Sequence, residues 1–74
     1  MQLTTDWKEF SLNPKKFYAF CVDGGGAEIE EFRNGAWRPG VTLADGVTSE
    51  VVSFTSWKLR VSGAGSLSWS TKQI

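Results

Sequence analysis

The fold is decided by residues 57–71, which read WKLRVSGAGSLSWST. On each side of the glycines, apolar and polar side chains alternate with a period of two, which is the pattern of a β-strand with one face on a core. The stretch therefore predicts an antiparallel hairpin, with strands at 57–61 and 67–71 and a turn at 63–65. The side chains expected to point inward are Trp57, Leu59, Val61, Leu67 and Trp69.

Turn-forming residues recur along the rest of the chain and leave only short segments between them. They stand at Asn13-Pro14, 23–26 (DGGG), Asn34-Gly35, Pro39-Gly40 and Asp45-Gly46. Asn34-Gly35 predicts a type I′ turn, because both residue types tolerate a positive φ. No window shows helical periodicity with caps at its ends. We expect one all-β domain over residues 1–74, a small antiparallel β-sandwich or barrel of about six to seven short strands.

Composition argues against catalysis and metal binding. The chain has no histidine and a single cysteine, Cys21. One cysteine cannot form an internal disulfide or supply the usual ligands of zinc, and the commonest general base is missing. Glu28, Glu30 and Glu31 cluster, and we interpret them as a solvated face of a strand. We expect a protein that is not an enzyme, with no cofactor and no metal.

Charge and apolarity bear on the partners of the chain. Eight basic and eight acidic side chains give a formal net charge of zero, which argues against nucleic-acid binding through a long-range field. Residues 16–22 (KFYAFCV) are apolar on both faces of a strand, so one face needs a cover beyond the domain's own core. Because a core of this size is marginal, we expect a homo-oligomer; a trimer is a guess, since no residue sets the number.

The N-terminus bears on where the chain is made. It has no basic region followed by an apolar run, and no apolar stretch approaches the length of a membrane span. A secretory signal and a membrane span need these features. The expectation is synthesis in the cytoplasm without a signal peptide and no membrane partner.

Three residues are candidates for contact with a partner: Trp37, Arg38 and Tyr18. Trp37 is the one tryptophan outside a clear alternation, and Arg38 follows it in a constrained loop, NGAWRPG. Tryptophan, tyrosine and arginine are the residue types most enriched at interface hot spots. Basic and aromatic residues also interleave at 15–18 and 57–60, a pattern that can build a stacking surface for single-stranded nucleic acid.

The two ends of the chain, 3–7 (LTTDW) and 57–70 (WKLRVSGAGSLSWS), resemble those of small all-β accessory proteins of tailed bacteriophages. Such proteins open with a threonine–tryptophan strand and close with a small-residue turn and a hydrophobic strand. The resemblance implies a virion protein made in the host cytoplasm, with a structural role in capsid decoration, a head–tail accessory part or a tail module. Its partners would be itself and other virion proteins. The alternative is a small β-barrel module that binds carbohydrate or single-stranded nucleic acid.

Overall fold

The computed structural model describes residues 1–46 and 48–72, which contain five strands and no helix. The strands are β1 (Lys8–Ser11), β2 (Phe17–Arg33), β3 (Ala36–Leu43), β4 (Thr48–Val52) and β5 (Lys58–Lys72). All described pairings are antiparallel, so the predicted all-β class is confirmed. Within the described part of the chain, no helix is long and apolar enough to cross a membrane.

The strands form one open sheet in the order β1-β5-β2-β3. Strand β4 pairs with the first half of β2, along Tyr18–Cys21, while β3 pairs with the second half of β2. Strands β1 and β3 are edges, and no described pairing closes the sheet between them. The expected count of six to seven strands and the sandwich or barrel arrangement are therefore not confirmed.

The strand count differs because two glycine segments bend strands instead of ending them. Residues 63–65 do not form a hairpin turn, since β5 continues through them and pairs with β2 on both sides. Residues 24–26 lie opposite, and there β2 carries one extra residue between the pairs Asp23↔Ser66 and Gly26↔Ala64. This is a β-bulge, which bends and twists both strands locally.

Glycine is required at this bulge for two separate reasons. Gly24 and Gly65 have φ of 87° and 88°, in the left-handed region that other residues adopt only with strain. Gly25 and Gly63 instead lie where the two backbones touch. A Cβ on Gly25 would overlap the carbonyl of Ala64, and one on Gly63 would overlap the carbonyl oxygen of the facing strand.

The bulge also changes which residues of β2 face the core. Before it the large buried side chains are at even-numbered positions, such as Phe20 and Val22; after it they are at odd-numbered positions, such as Ile29. Strand β5 keeps the same parity on both sides of the bend, with Leu59, Val61 and Leu67 buried. The buried apolar residues of the described chain are Leu3, Leu12, Tyr18, Ala19, Phe20, Val22, Ala27, Ile29, Leu43, Phe54, Leu59, Val61 and Leu67.

The bend brings the two halves of β5 to face each other across this core. Leu59 and Trp69 would lie about 33 Å apart on a flat strand. Phe10 pairs with Leu59, yet its ring centroid lies only 5.3 Å from that of Trp69. The expected inward orientation is thus confirmed for Leu59 and Trp69, whereas Trp57 precedes the strand and is 58% exposed, so its predicted burial was wrong.

Candidate contact face and adjoining hollow

The outer side of the sheet carries a row of alternating charges across β1, β5 and β2. Glu9 and Glu30 are the cross-strand neighbours of Arg60 on its two sides. The Arg60 guanidinium donates from Nε and Nη2 to one oxygen of Glu30, over 2.8 and 2.6 Å. These side chains point outward because Leu59 and Val61, which alternate with them, are fully buried.

Two indoles cover the Arg60 guanidinium. Its Cζ lies 4.4 Å from the ring centroid of Trp7 and 4.4 Å from that of Trp37. A cation at this distance is attracted by the negative face of the indole, and the attraction grows as water is excluded. Together with the hydrogen bonds to Glu30, these contacts hold the guanidinium in one place.

Lys58 makes a second group of the same kind beside the first. Its Nζ lies 4.7 Å from the Phe32 ring centroid and 5.6 Å from that of Trp37, and 3.5 Å from a carboxylate oxygen of Glu9. Phe32 and Trp37 meet edge to face, with centroids 5.2 Å apart. We call this surface the outer aromatic face. It consists of Trp7, Phe32, Trp37, Lys58 and Arg60.

The β2–β3 hairpin places Trp37 on this face. Asn34 and Gly35 have φ of 52° and 78°, which confirms the predicted type I′ turn. The turn sets the register Arg33↔Ala36, so that Phe32 and Trp37 are direct neighbours. A hairpin register is fixed by its turn, and here a turn of different length would move the indole off this face.

The three residues that the sequence nominated do not all lie together. Trp37 is half-buried on the outer aromatic face. Arg38 is exposed next to it, and its Nε lies 3.4 Å from the carbonyl oxygen of Arg33. Tyr18 instead lies in the core at 6% exposure, and its hydroxyl accepts a hydrogen bond from the amide of Asn13 at 2.9 Å. Because the Tyr18 side chain is buried and hydrogen-bonded within the domain, it is not exposed for contact with a partner.

A shallow hollow adjoins the face at the tip of the β2–β3 hairpin, and we call it the Trp57 hollow. Its lining residues are Phe32, Arg33, Asn34, Thr55, Ser56, Trp57 and Lys58. Trp57 is the most exposed of the large apolar side chains that the structure describes. The alternation of basic and aromatic residues at 57–60 indicated a candidate binding surface in this region, although Trp57 itself was predicted to lie in the core.

Buried Glu31 organises the walls of the hollow. One of its oxygens lies 2.9 Å from Arg33 Nε, an ion pair whose N–H is not aligned as a hydrogen bond. The other oxygen accepts from the Thr55 amide at 2.9 Å and the Thr55 hydroxyl at 3.3 Å. A single buried carboxylate thus joins the end of β2 to the segment that precedes β5. Residues that lock the position of a binding group in this way preorganise a site.

Neither a metal-ligand cluster nor a similar known protein indicates a function. Among residues 1–46 and 48–72, no three histidine, cysteine, aspartate or glutamate side chains are grouped so that they could hold a metal ion. Comparison with known proteins finds no matching family model, no matching curated protein and no matching solved structure. The functional argument therefore rests on the residues of this chain.

Proposed function

We propose that this chain is a non-enzymatic structural component of a tailed-bacteriophage particle, and that it binds neighbouring virion proteins through its outer aromatic face. The observation that carries the proposal is the concentration of Trp7, Phe32 and Trp37 with Lys58 and Arg60 on one outward surface. Aromatic and arginine side chains supply most of the energy of protein interfaces. The virion assignment comes from the resemblance of the two chain ends.

The rigidity of this face supports a contact role. Arg60 is held by two rings and a carboxylate, so it loses little side-chain freedom when a partner covers it. Interfaces gain affinity when their side chains are ordered before binding. A partner that buries Trp7, which is 39% exposed, would remove the remaining water from the guanidinium and strengthen the existing contacts.

Self-association is part of the proposal. The open edges at β1 and β3 can accept a strand from a neighbour. A sandwich or barrel of more strands would then be completed by two or more chains. The mass of the free chain, weighed by native mass spectrometry at tens of micromolar, should exceed that of a monomer; a monomer would contradict this part.

Single-stranded nucleic acid fits the outer aromatic face less well than a protein does. Glu9 and Glu30 flank Arg60 on this surface, and both would repel a phosphodiester backbone that ran across the rings. Proteins that bind single strands instead combine stacking rings with a positively charged groove.

The test is reconstitution on the particle. Particles of a phage that encodes this chain are purified, and their proteins are identified and counted by mass spectrometry. Particles that lack the gene product are then mixed with recombinant chain. We expect the wild-type protein to bind in a fixed number of copies, and Trp7→Ala to weaken binding by about tenfold or more.

Phe17→Ala is the matched control, because Phe17 has nearly the same exposure as Trp7 and lies at the opposite end of β2 from the outer aromatic face. It should bind particles as the wild type does. The virion proposal fails if purified particles contain no copies of the chain. The assignment of the face fails if Trp7→Ala binds normally.

A further inference from the structure

We propose that the Trp57 hollow binds an acidic saccharide, with a sugar ring on the Trp57 indole and the sugar carboxylate on Arg33. This inference goes beyond the proposed function and does not rest on it. The hollow shares Phe32 and Lys58 with the outer aromatic face, but the binding group and the ring platform are its own.

The ring platform is Trp57. Its side chain is 58% exposed, although Leu59, two residues further along the chain, is fully buried. The structure gives the indole no aromatic partner among the described residues, whereas Trp7, Trp37 and Trp69 all contact another ring or a cation. A flat apolar surface next to polar side chains is suited to the C–H face of a pyranose ring, which is apolar while its edge carries hydroxyl groups.

The binding group for the carboxylate is Arg33. Its Nε contacts Glu31, and no hydrogen bond found in the described part of the chain uses its terminal nitrogens. The side chain as a whole is 40% exposed and lines the hollow. A guanidinium presents two parallel N–H groups that match the two oxygens of a carboxylate. The contact with buried Glu31 holds the Arg33 guanidinium in place before a ligand binds.

The charge of the hollow favours an anion. Its lining contains Arg33 and Lys58 and no carboxylate. Each cation already contacts one carboxylate, but Arg33 contacts Glu31 only through Nε, and the Lys58–Glu9 pair is exposed to water and therefore weak. A carboxylate on the ligand would add charge-assisted hydrogen bonds to these two cations that an uncharged saccharide cannot make, so an acidic saccharide is the better fit.

Polar side chains around the ring platform match the hydroxyl groups of a saccharide. Asn34, Thr55 and Ser56 lie on the rim of the hollow. Thr55 is held there by its two hydrogen bonds to Glu31. The hydroxyl of Ser56 accepts from the Lys58 amide at 3.1 Å, which fixes its position beside Trp57. Sites with a few placed polar groups around an apolar surface orient small ligands in this way.

The test is a titration of the isolated, ¹⁵N-labelled chain followed by nuclear magnetic resonance. The probe is a trimer of galacturonic acid, and its fully methyl-esterified form is the neutral match. We expect the acid to shift the Trp57 indole N–H and the Arg33 Nε–H signals, and the ester to bind at least about tenfold more weakly. Trp57→Ala and Arg33→Gln should each weaken binding of the acid by about tenfold or more.

Three controls make the result specific. Phe17→Ala removes an exposed ring outside the lining, and Arg38→Gln removes an exposed arginine outside the lining. Both variants should bind the acid as the wild type does. Trp57→Phe should recover most of the affinity that Trp57→Ala loses. Retained amide signals of the core show that each variant is folded.

Four outcomes would overturn the inference: no shift at Trp57 or Arg33 with the acid, equal binding of the ester, equal binding of inorganic sulfate, or tighter binding of a short single-stranded oligonucleotide. Because the titration uses no particle, its result is independent of the virion experiment.

Discussion

Replacement of Arg60 by methionine tests whether the outer aromatic face is as rigid as the structure indicates. Methionine keeps an unbranched apolar stem and removes only the guanidinium. Two contacts with the Trp7 and Trp37 rings are lost, each worth about 0.5–1 kcal/mol. The partly buried pair with Glu30 adds about 1 kcal/mol. We expect Arg60→Met to lower the free energy of unfolding by about 2–3 kcal/mol in total.

The assay is urea unfolding at low salt, with the slope against urea checked for constancy. A double-mutant cycle with Trp7→Leu isolates one ring contact, and we expect a coupling of about 0.5–1 kcal/mol between Trp7 and Arg60. Arg38→Met is the matched control and should change stability by less than about 0.5 kcal/mol, because Arg38 is exposed and contacts no ring. A loss below about 0.5 kcal/mol for Arg60→Met, or zero coupling, would refute the stacking of the guanidinium on the rings.

Two further substitutions test the core and the bend. Phe20→Ala should lower the free energy of unfolding by about 3–5 kcal/mol, because this fully buried ring contacts Phe54 and Trp69. A loss as small as that of an exposed substitution would mean that the two halves of the sheet do not pack together. Gly63→Ala should lower the free energy of unfolding by about 3 kcal/mol, because the added Cβ would overlap backbone that cannot move aside. Gly35→Ala should lower it by about 1 kcal/mol, because the space around Gly35 is open and only its φ of 78° is unfavourable for alanine. Equal costs at the two glycines would show that the backbones do not approach as closely as described.

Local patterns were sufficient wherever one strand segment and one turn decide the outcome. The alternation of Leu59, Val61 and Leu67 with polar residues placed all three in the core. Asn34-Gly35 formed the predicted type I′ turn, because that dipeptide tolerates the two positive φ values that the turn requires. Both features depend on residues close in sequence, so composition and periodicity contain the information.

The structure of the two glycine segments could not be predicted from local sequence patterns. Glycine at 24–26 and 63–65 permits a turn, but it equally permits a bulge and a close backbone contact. Which of these forms depends on what lies opposite, and here each segment faces the other across the β2–β5 pairing. The two strands bend together, so segments predicted as separate short strands, such as 57–61 and 67–71, are parts of two long strands.

The sequence by itself determined the class of the fold, the inward face of β5 and the hairpin that carries Trp37, because these follow from side-chain alternation and turn chemistry. Only the tertiary structure decided the surface. It placed the Arg60 guanidinium against Trp7 and Trp37, which lie in three separate segments of the chain. It also left Trp57 exposed beside Arg33, although the alternation pattern had assigned Trp57 to the core. Contacts between distant segments arise from strand order and curvature, and no local pattern encodes either of them.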